Sequence, residues 1–134
     1  MDLSQHIIEQ KTFTLDSGAK ITLIRESSSY ELAKAIQKAK EKHEKAIKKA
    51  DSDKAKAKLE EKYEDELCGL YANHLITDFE GFLFKGKEVP YSQKNARAMM
   101  KNRDFKSYVL TTVRLGDFSD EVELDIDFGE VQKN

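Results

Sequence analysis

The chain has 134 residues, of which 39% are hydrophobic and 36% charged, with 23 Lys and Arg against 25 Asp and Glu. That is the length of one domain with a charge content well above the usual quarter. A net charge of −2 argues against a surface adapted as a whole to nucleic acid, because phosphate binding needs an excess of Lys and Arg. The one cysteine, Cys68, excludes an internal disulfide, and no Cys/His spacing has the form of a zinc site, so the composition reads as that of a reducing, cytoplasmic setting. Met1 to Gln10 holds no apolar run of signal-sequence length, and no stretch approaches the ~20 apolar residues that span a bilayer.

From Lys11 to Arg25 apolar and polar residues alternate on both sides of Asp16-Ser17-Gly18, which predicts a β-hairpin with Phe13 and Leu15 on one face of the first strand and Ile21 and Leu23 on one face of the second. Two strands alone are marginal, so this apolar face must pack on a helix or another chain. Ser27, Ser28 and Ser29 offer N-cap hydroxyls to a helix from Tyr30 to Ala50, rich in Ala, Lys, Glu and Gln. Its small or apolar positions Leu32, Ile36, Ala39, His43, Ala46 and Ala50 form a narrow heptad-like stripe. Asp51-Ser52-Asp53 breaks the propensity and supplies a second cap, after which a longer helix is expected from Lys54 to about Asp78 through Leu59, Tyr63, Leu67, Leu70, Tyr71, His74 and Leu75. An antiparallel helical hairpin is the preferred arrangement, with one continuous helix as its alternative. Gly69, inside the second helix, costs about 1 kcal/mol relative to alanine and points to the close approach of another element.

The run Phe82-Leu83-Phe84, the turn Lys85-Gly86-Lys87 and the extended Val89-Pro90-Tyr91 predict a small hairpin. Ser92 can cap a short helix from Gln93 with Ala96, Met99 and Met100 on one buried side. After Asn102-Arg103-Asp104 a last helix is expected from Phe105 to Leu115, with Phe105, Tyr108, Val109 and Thr112 inward and Gly116 as its stop. From Asp117 to Glu130 there are seven acids and no base, and Val122 to Phe128 alternates strictly, which reads as a strand or as a disordered acidic-hydrophobic segment. The fold class is therefore mainly α with small β-hairpins (α+β). It comprises one compact domain over 1–116 with a Lys-rich helical extension at about 30–60, and an acidic tail over 117–134.

No nucleophile elbow, Gly-rich phosphate loop or metal-binding helix motif is present. His6, His43 and His74 are scattered. His43 and His74 read as structural, Cys68 as a buried thiol, and Asp16, Asp51, Asp53, Asp78, Glu80 and Asp104 as caps and turns. No enzyme activity, cofactor, metal or catalytic residue is expected. Between Lys34 and Lys58 there are ten lysines and four acids. Without arginine or interleaved aromatics, this face would bind nucleic acid only weakly and nonspecifically, and a solvated helix face is the preferred reading. Opposite local charges on a near-neutral chain also fit self-association into a homo-oligomer or recruitment of a partner.

Leu75-Ile76-Thr77-Asp78-Phe79-Glu80-Gly81, then Gly86 to Met100 with its Val89-Pro90-Tyr91-Ser92 step and Asn95-Ala96, then Asp104-Phe105, resembles in order the tail assembly chaperones of long-tailed bacteriophages. The resemblance covers about residues 67–115, with Phe79 standing where that group commonly has Trp. It implies a non-enzymatic helper in the host cytoplasm that binds the tape-measure protein, keeps its hydrophobic helices in solution and recruits tail-tube subunits. On that reading Phe79, Phe82, Phe84, Tyr91, Met99 and Met100 form or support the partner surface. The alternatives are a nucleic-acid-associated protein using the Lys-rich helix and a structural virion or coiled-coil component.

Overall fold

A computed structural model describes residues 7–118 and has an α+β architecture. The first hairpin is formed by β1 (Gln10–Thr14) and β2 (Lys20–Ile24), with Phe13 opposite Ile21. Ile21 and Leu23 are fully buried, as their alternation requires. A short 3-10 turn leads to α1 (Tyr30–Lys49), capped by Ser29, whose hydroxyl accepts the Leu32 N–H. α2 (Asp53–Leu75) is capped in the same way by Ser52. The chain is extended at Ala50 and Ser52, so the two helices form the hairpin and not one continuous rod. Across it the His43 ring stacks on Tyr63 at 4.4 Å and 9°, and His43 Nε2 lies 3.0 Å from Glu60 Oε1.

The sequence reading carried α2 to Asp78, whereas the helix stops at Leu75 and Ile76–Glu80 forms β3. The reason is a change of period. Ala72, Leu75, Ile76 and Phe79 are all buried and stand at helical spacing, which a strand would ordinarily split between two faces. A β-bulge resolves this: Thr22 pairs with Asp78 but Leu23 with Ile76, leaving Thr77 as the extra residue. Thr77 Oγ1 donates to the Thr22 carbonyl, and both Ile76 and Phe79 point inward. β3 joins the far side of β2, giving the order β1-β2-β3 among the described residues. The expected partner for the first hairpin's apolar face is the helical layer, where Ile21 and Leu23 join Leu32, Leu75, Val109 and Val113 in one buried cluster, while β3 widens the sheet at its edge.

β4 (Leu83–Phe84) and β5 (Lys87–Glu88) make the second hairpin. Its two-residue loop has φ of 52° at Lys85 and 80° at Gly86, the doubly left-handed turn that suits the twist of paired strands. Ser92 caps α3 (Gln93–Met99) and Asn102 caps α4 (Arg103–Leu115) through hydrogen bonds from Asn95 N–H and Phe105 N–H. Val109 and Val113 of α4 are completely buried, together with Ile21, Leu75 and Met100. Gly116 ends α4 without a left-handed residue, at φ −68°. Glycine suits the position because a Cβ there would collide with the Thr112 carbonyl oxygen. Phe118 is buried and meets Phe13 edge-on at 5.3 Å, so the packed core runs to residue 118. The alternating acidic segment, read as strand or disordered, lies outside the described residues.

Candidate functional site

The second hairpin, α3 and the start of α4 enclose an open groove of about 580 Å³. Phe82, Leu83, Phe84 and Val89 form one wall, Asn95, Ala98 and Met99 the other, and Asn102 and Phe105 close its end. The walls follow from local sequence. The left-handed Lys85-Gly86 turn folds the aromatic strand back, and Asn95, Ala98, Met99 and Asn102 are spaced three, one and three apart, which puts them on one face of a helical turn. Asn95 also donates from Nδ2 to the Pro90 carbonyl at 2.8 Å, tying α3 to the strand that precedes it. Leu83 and Phe84 are 68% and 66% exposed, a large apolar area to leave against water.

Behind the groove runs a line of aromatic rings in edge-to-face contact. Phe105 meets Phe82 at 5.6 Å, Phe82 meets Phe79 at 5.6 Å, and Phe79 meets Tyr91 at 5.2 Å. The Tyr91 hydroxyl donates to the Ile76 carbonyl, which fixes the last ring to β3. The exposed wall therefore stands on a floor anchored in the core.

Of the six residues singled out in the sequence, Phe82, Phe84 and Met99 line the groove. Tyr91 is half-buried behind it, while Phe79 and Met100 are interior, at 4% and 0% exposure. Those two support the surface and do not form it. Phe79 was drawn inward by the bulge at Thr77, and Met100 by the packing of α3 on α2, where its carbonyl accepts from Cys68 Sγ. Leu83, Val89, Asn95, Ala98, Asn102 and Phe105 line the groove without having been singled out. For Leu83 the available signal was its place inside the same apolar run as Phe82 and Phe84.

Other polar groups are accounted for structurally. Arg114 donates to both Glu26 carboxylate oxygens, at 2.9 and 3.2 Å, and its Nη2 is 3.5 Å from the Tyr71 hydroxyl. Burial pushes the Tyr71 phenol above its usual pKa, with the nearby Arg114 charge opposing the shift. Hydrogen bonding to Glu26 raises the Arg114 guanidinium further. Lys38, Lys42, Lys45 and Lys49 flank a shallow depression on α1. Among the described residues no group of three or more His, Cys, Asp and Glu is placed to hold a metal ion, and no helix is long and apolar enough to cross a membrane.

The model of a family described as YdaY prophage protein matches residues 29–120, a span from the cap of α1 past the end of α4 that includes the whole groove. No curated protein and no solved structure matches the chain. With more than half of its length matched, this chain belongs to the YdaY prophage protein family, a phage-derived family.

Proposed function

We propose that this protein is a non-enzymatic assembly helper that lends the groove to an apolar segment of another phage protein, as a tail assembly chaperone does for the tape-measure protein while tail-tube subunits are recruited. The observation that carries this reading is the groove itself: two large apolar side chains, Leu83 and Phe84, are held out to solvent on a hairpin whose base is locked by packed aromatic rings. A flexible thioether, Met99, lines the opposite wall and adapts to varied partner shapes. The phage-derived family and the resemblance over residues 67–115 support the choice of partner. The Lys-rich surface of the helical hairpin keeps such an apolar complex dispersed.

The test is co-expression with the tape-measure protein of the same prophage. A soluble complex that forms only when both are present, with this chain absent from purified finished particles, is the expected result. A tape-measure protein equally soluble alone, or this chain retained in the particle, would overturn the reading. A second reading, weak binding of nucleic acid, has one specific feature in its favour, the four lysines along the depression on α1. It predicts a duplex-DNA shift at low salt that disappears at physiological salt.

A further inference from the structure

Seven of the nine residues that line the groove are apolar and none is charged; the other two are Asn95 on the α3 wall and Asn102 at the closed end. Each of these amides is held in one orientation by a bond to the fold. Asn95 donates from Nδ2 to the Pro90 carbonyl at 2.8 Å, which leaves its Oδ1 as an acceptor. Asn102 accepts the Phe105 N–H on Oδ1 at 3.0 Å as the cap of α4, which leaves its Nδ2 as a donor. Neither remaining atom has a hydrogen-bond partner among the described residues. The groove thus pairs an apolar lining with one acceptor and one donor, each fixed by the protein itself.

The spacing of the two amides suits a peptide backbone. Between them the chain stays wound: Met100 keeps helical angles, and the N–H groups of Lys101 and Asn102 close turns onto the Ala98 and Met99 carbonyls. From Asn95 to Asn102 the advance is therefore about 11 Å, at roughly 1.5–2.0 Å per residue. An extended peptide presents its N–H and C=O groups on one edge at every second residue. The N–H of one residue stands roughly 9 Å from the C=O two residues further on, at about 3.3 Å per residue. The difference is within the reach of two asparagine side chains. A helical occupant offers no such pair, because its backbone groups are bonded to one another, and it would leave both amides facing it unmatched.

We propose that the groove takes an extended, uncharged apolar peptide segment and reads it by its backbone, Asn95 Oδ1 accepting an N–H and Asn102 Nδ2 donating to the C=O two residues further on. The occupant runs with its N-terminal end at Asn95 and lays apolar side chains against Phe84 and Met99. The inference rests on the groove that the functional reading relies on, and adds the conformation and direction of the segment bound there. Main-chain bonds are indifferent to sequence and the lining asks only for apolar side chains, so one site serves many stretches of a partner that is not yet folded.

The experiment titrates the full chain against fluorescein-labelled peptides and reads anisotropy. One probe is a short peptide of alternating valine and threonine, and the other a stapled helical peptide with as many apolar residues. The extended probe is expected to bind at least about tenfold more tightly. Two further copies of it carry ester oxygens in place of amide N–H groups, one at every valine and the other at every threonine, which removes the donors of one edge at a time. One of the two should bind about fivefold more weakly, the worth of one net hydrogen bond, and the other nearly as the parent peptide does. Asn102→Asp and the neutral Asn102→Ser both keep a capping oxygen and lose the amide donor. Both are expected to weaken the extended probe about fivefold with the thermal midpoint unchanged. Equal or tighter binding of the helical probe, equal effects of the two ester series, undiminished binding by either Asn102 variant, binding that survives Phe84→Ser, or no binding of the extended probe would each overturn the proposal. Failure of the peptide measurements with tape-measure capture intact sinks this inference alone, whereas peptide selectivity without capture sinks the chaperone reading and leaves this one standing.

Discussion

Replacing Phe82 and Phe84 separately by alanine tests whether the groove has an anchored floor and an exposed wall. The two residues are two positions apart yet differ in what they touch. Phe84 is 66% exposed, so in the free protein its truncation removes little burial and should change stability by no more than about 0.5 kcal/mol. Phe82 is half-buried and meets Phe79 and Phe105 edge-on, each at 5.6 Å. A fully buried Phe→Ala costs roughly 3–5 kcal/mol. Taking about half of that for its burial, and adding part of the ~0.5–1.5 kcal/mol that an aromatic pair contributes beyond area, gives about 2–3 kcal/mol. Urea unfolding followed by circular dichroism measures both. A double-mutant cycle between Phe82 and Phe105 should return a coupling of about 1 kcal/mol. A Phe82→Ala loss below about 1 kcal/mol, or a Phe84→Ala loss as large as that of Phe82→Ala, would refute the division of roles.

Three further outcomes follow from other parts of the structure. A Cβ at Gly69 would stand 3.5 Å from Arg97 Cδ, an ordinary contact; Gly69→Ala should therefore stabilise the protein by up to about 1 kcal/mol in the same unfolding assay. Gly81 is the opposite case, with φ of 82° and a Cβ position only 3.0 Å from Ala19 Cα, so Gly81→Ala should cost upward of about 1 kcal/mol. Tyr71 has its folded pKa raised above the ordinary 10.0 by burial, so the native state holds that proton more tightly than the unfolded chain. Its contribution is complete below pH 10 and is lost as pH rises through the folded value. Denaturation midpoints between pH 9 and 11.5 should fall less steeply for Tyr71→Phe than for the parent, and identical slopes would contradict the assignment.

Much of the scaffold was legible because its signals are local. The caps Ser29, Ser52 and Ser92 precede helix-forming runs, the alternation around Asp16-Ser17-Gly18 states a hairpin, and Lys85-Gly86 states another. β3 was not legible, because the bulge at Thr77 gives Ile76 and Phe79 a spacing of three, indistinguishable from the helical spacing of Ala72 and Leu75 just before it. That bulge depends on pairing with β2, more than fifty residues earlier, which no local window contains. The candidate surface divided along the same line. Phe82, Phe84 and Met99 were reachable from aromatic and methionine density around a turn, whereas the inward turn of Phe79 and Met100 is decided by tertiary packing. Gly69 was read as a place of close approach, but a Cβ there would make only ordinary contact, 3.5 Å from the Arg97 side chain, so the glycine is not required by crowding.

The most direct test of the proposed function measures the affinity of the proposed partner, the tape-measure protein, for the parent and for Phe84→Ser. A phenylalanine contributes ~200 Å² of surface, so covering the two-thirds that Phe84 exposes at about 25 cal/mol per Å² is worth about 3 kcal/mol. The account predicts that Phe84→Ser weakens partner binding by roughly a hundredfold while the thermal midpoint stays within about 2 °C of the parent. Undiminished binding by a folded Phe84→Ser protein would contradict the claim that this groove is where the protein does its work.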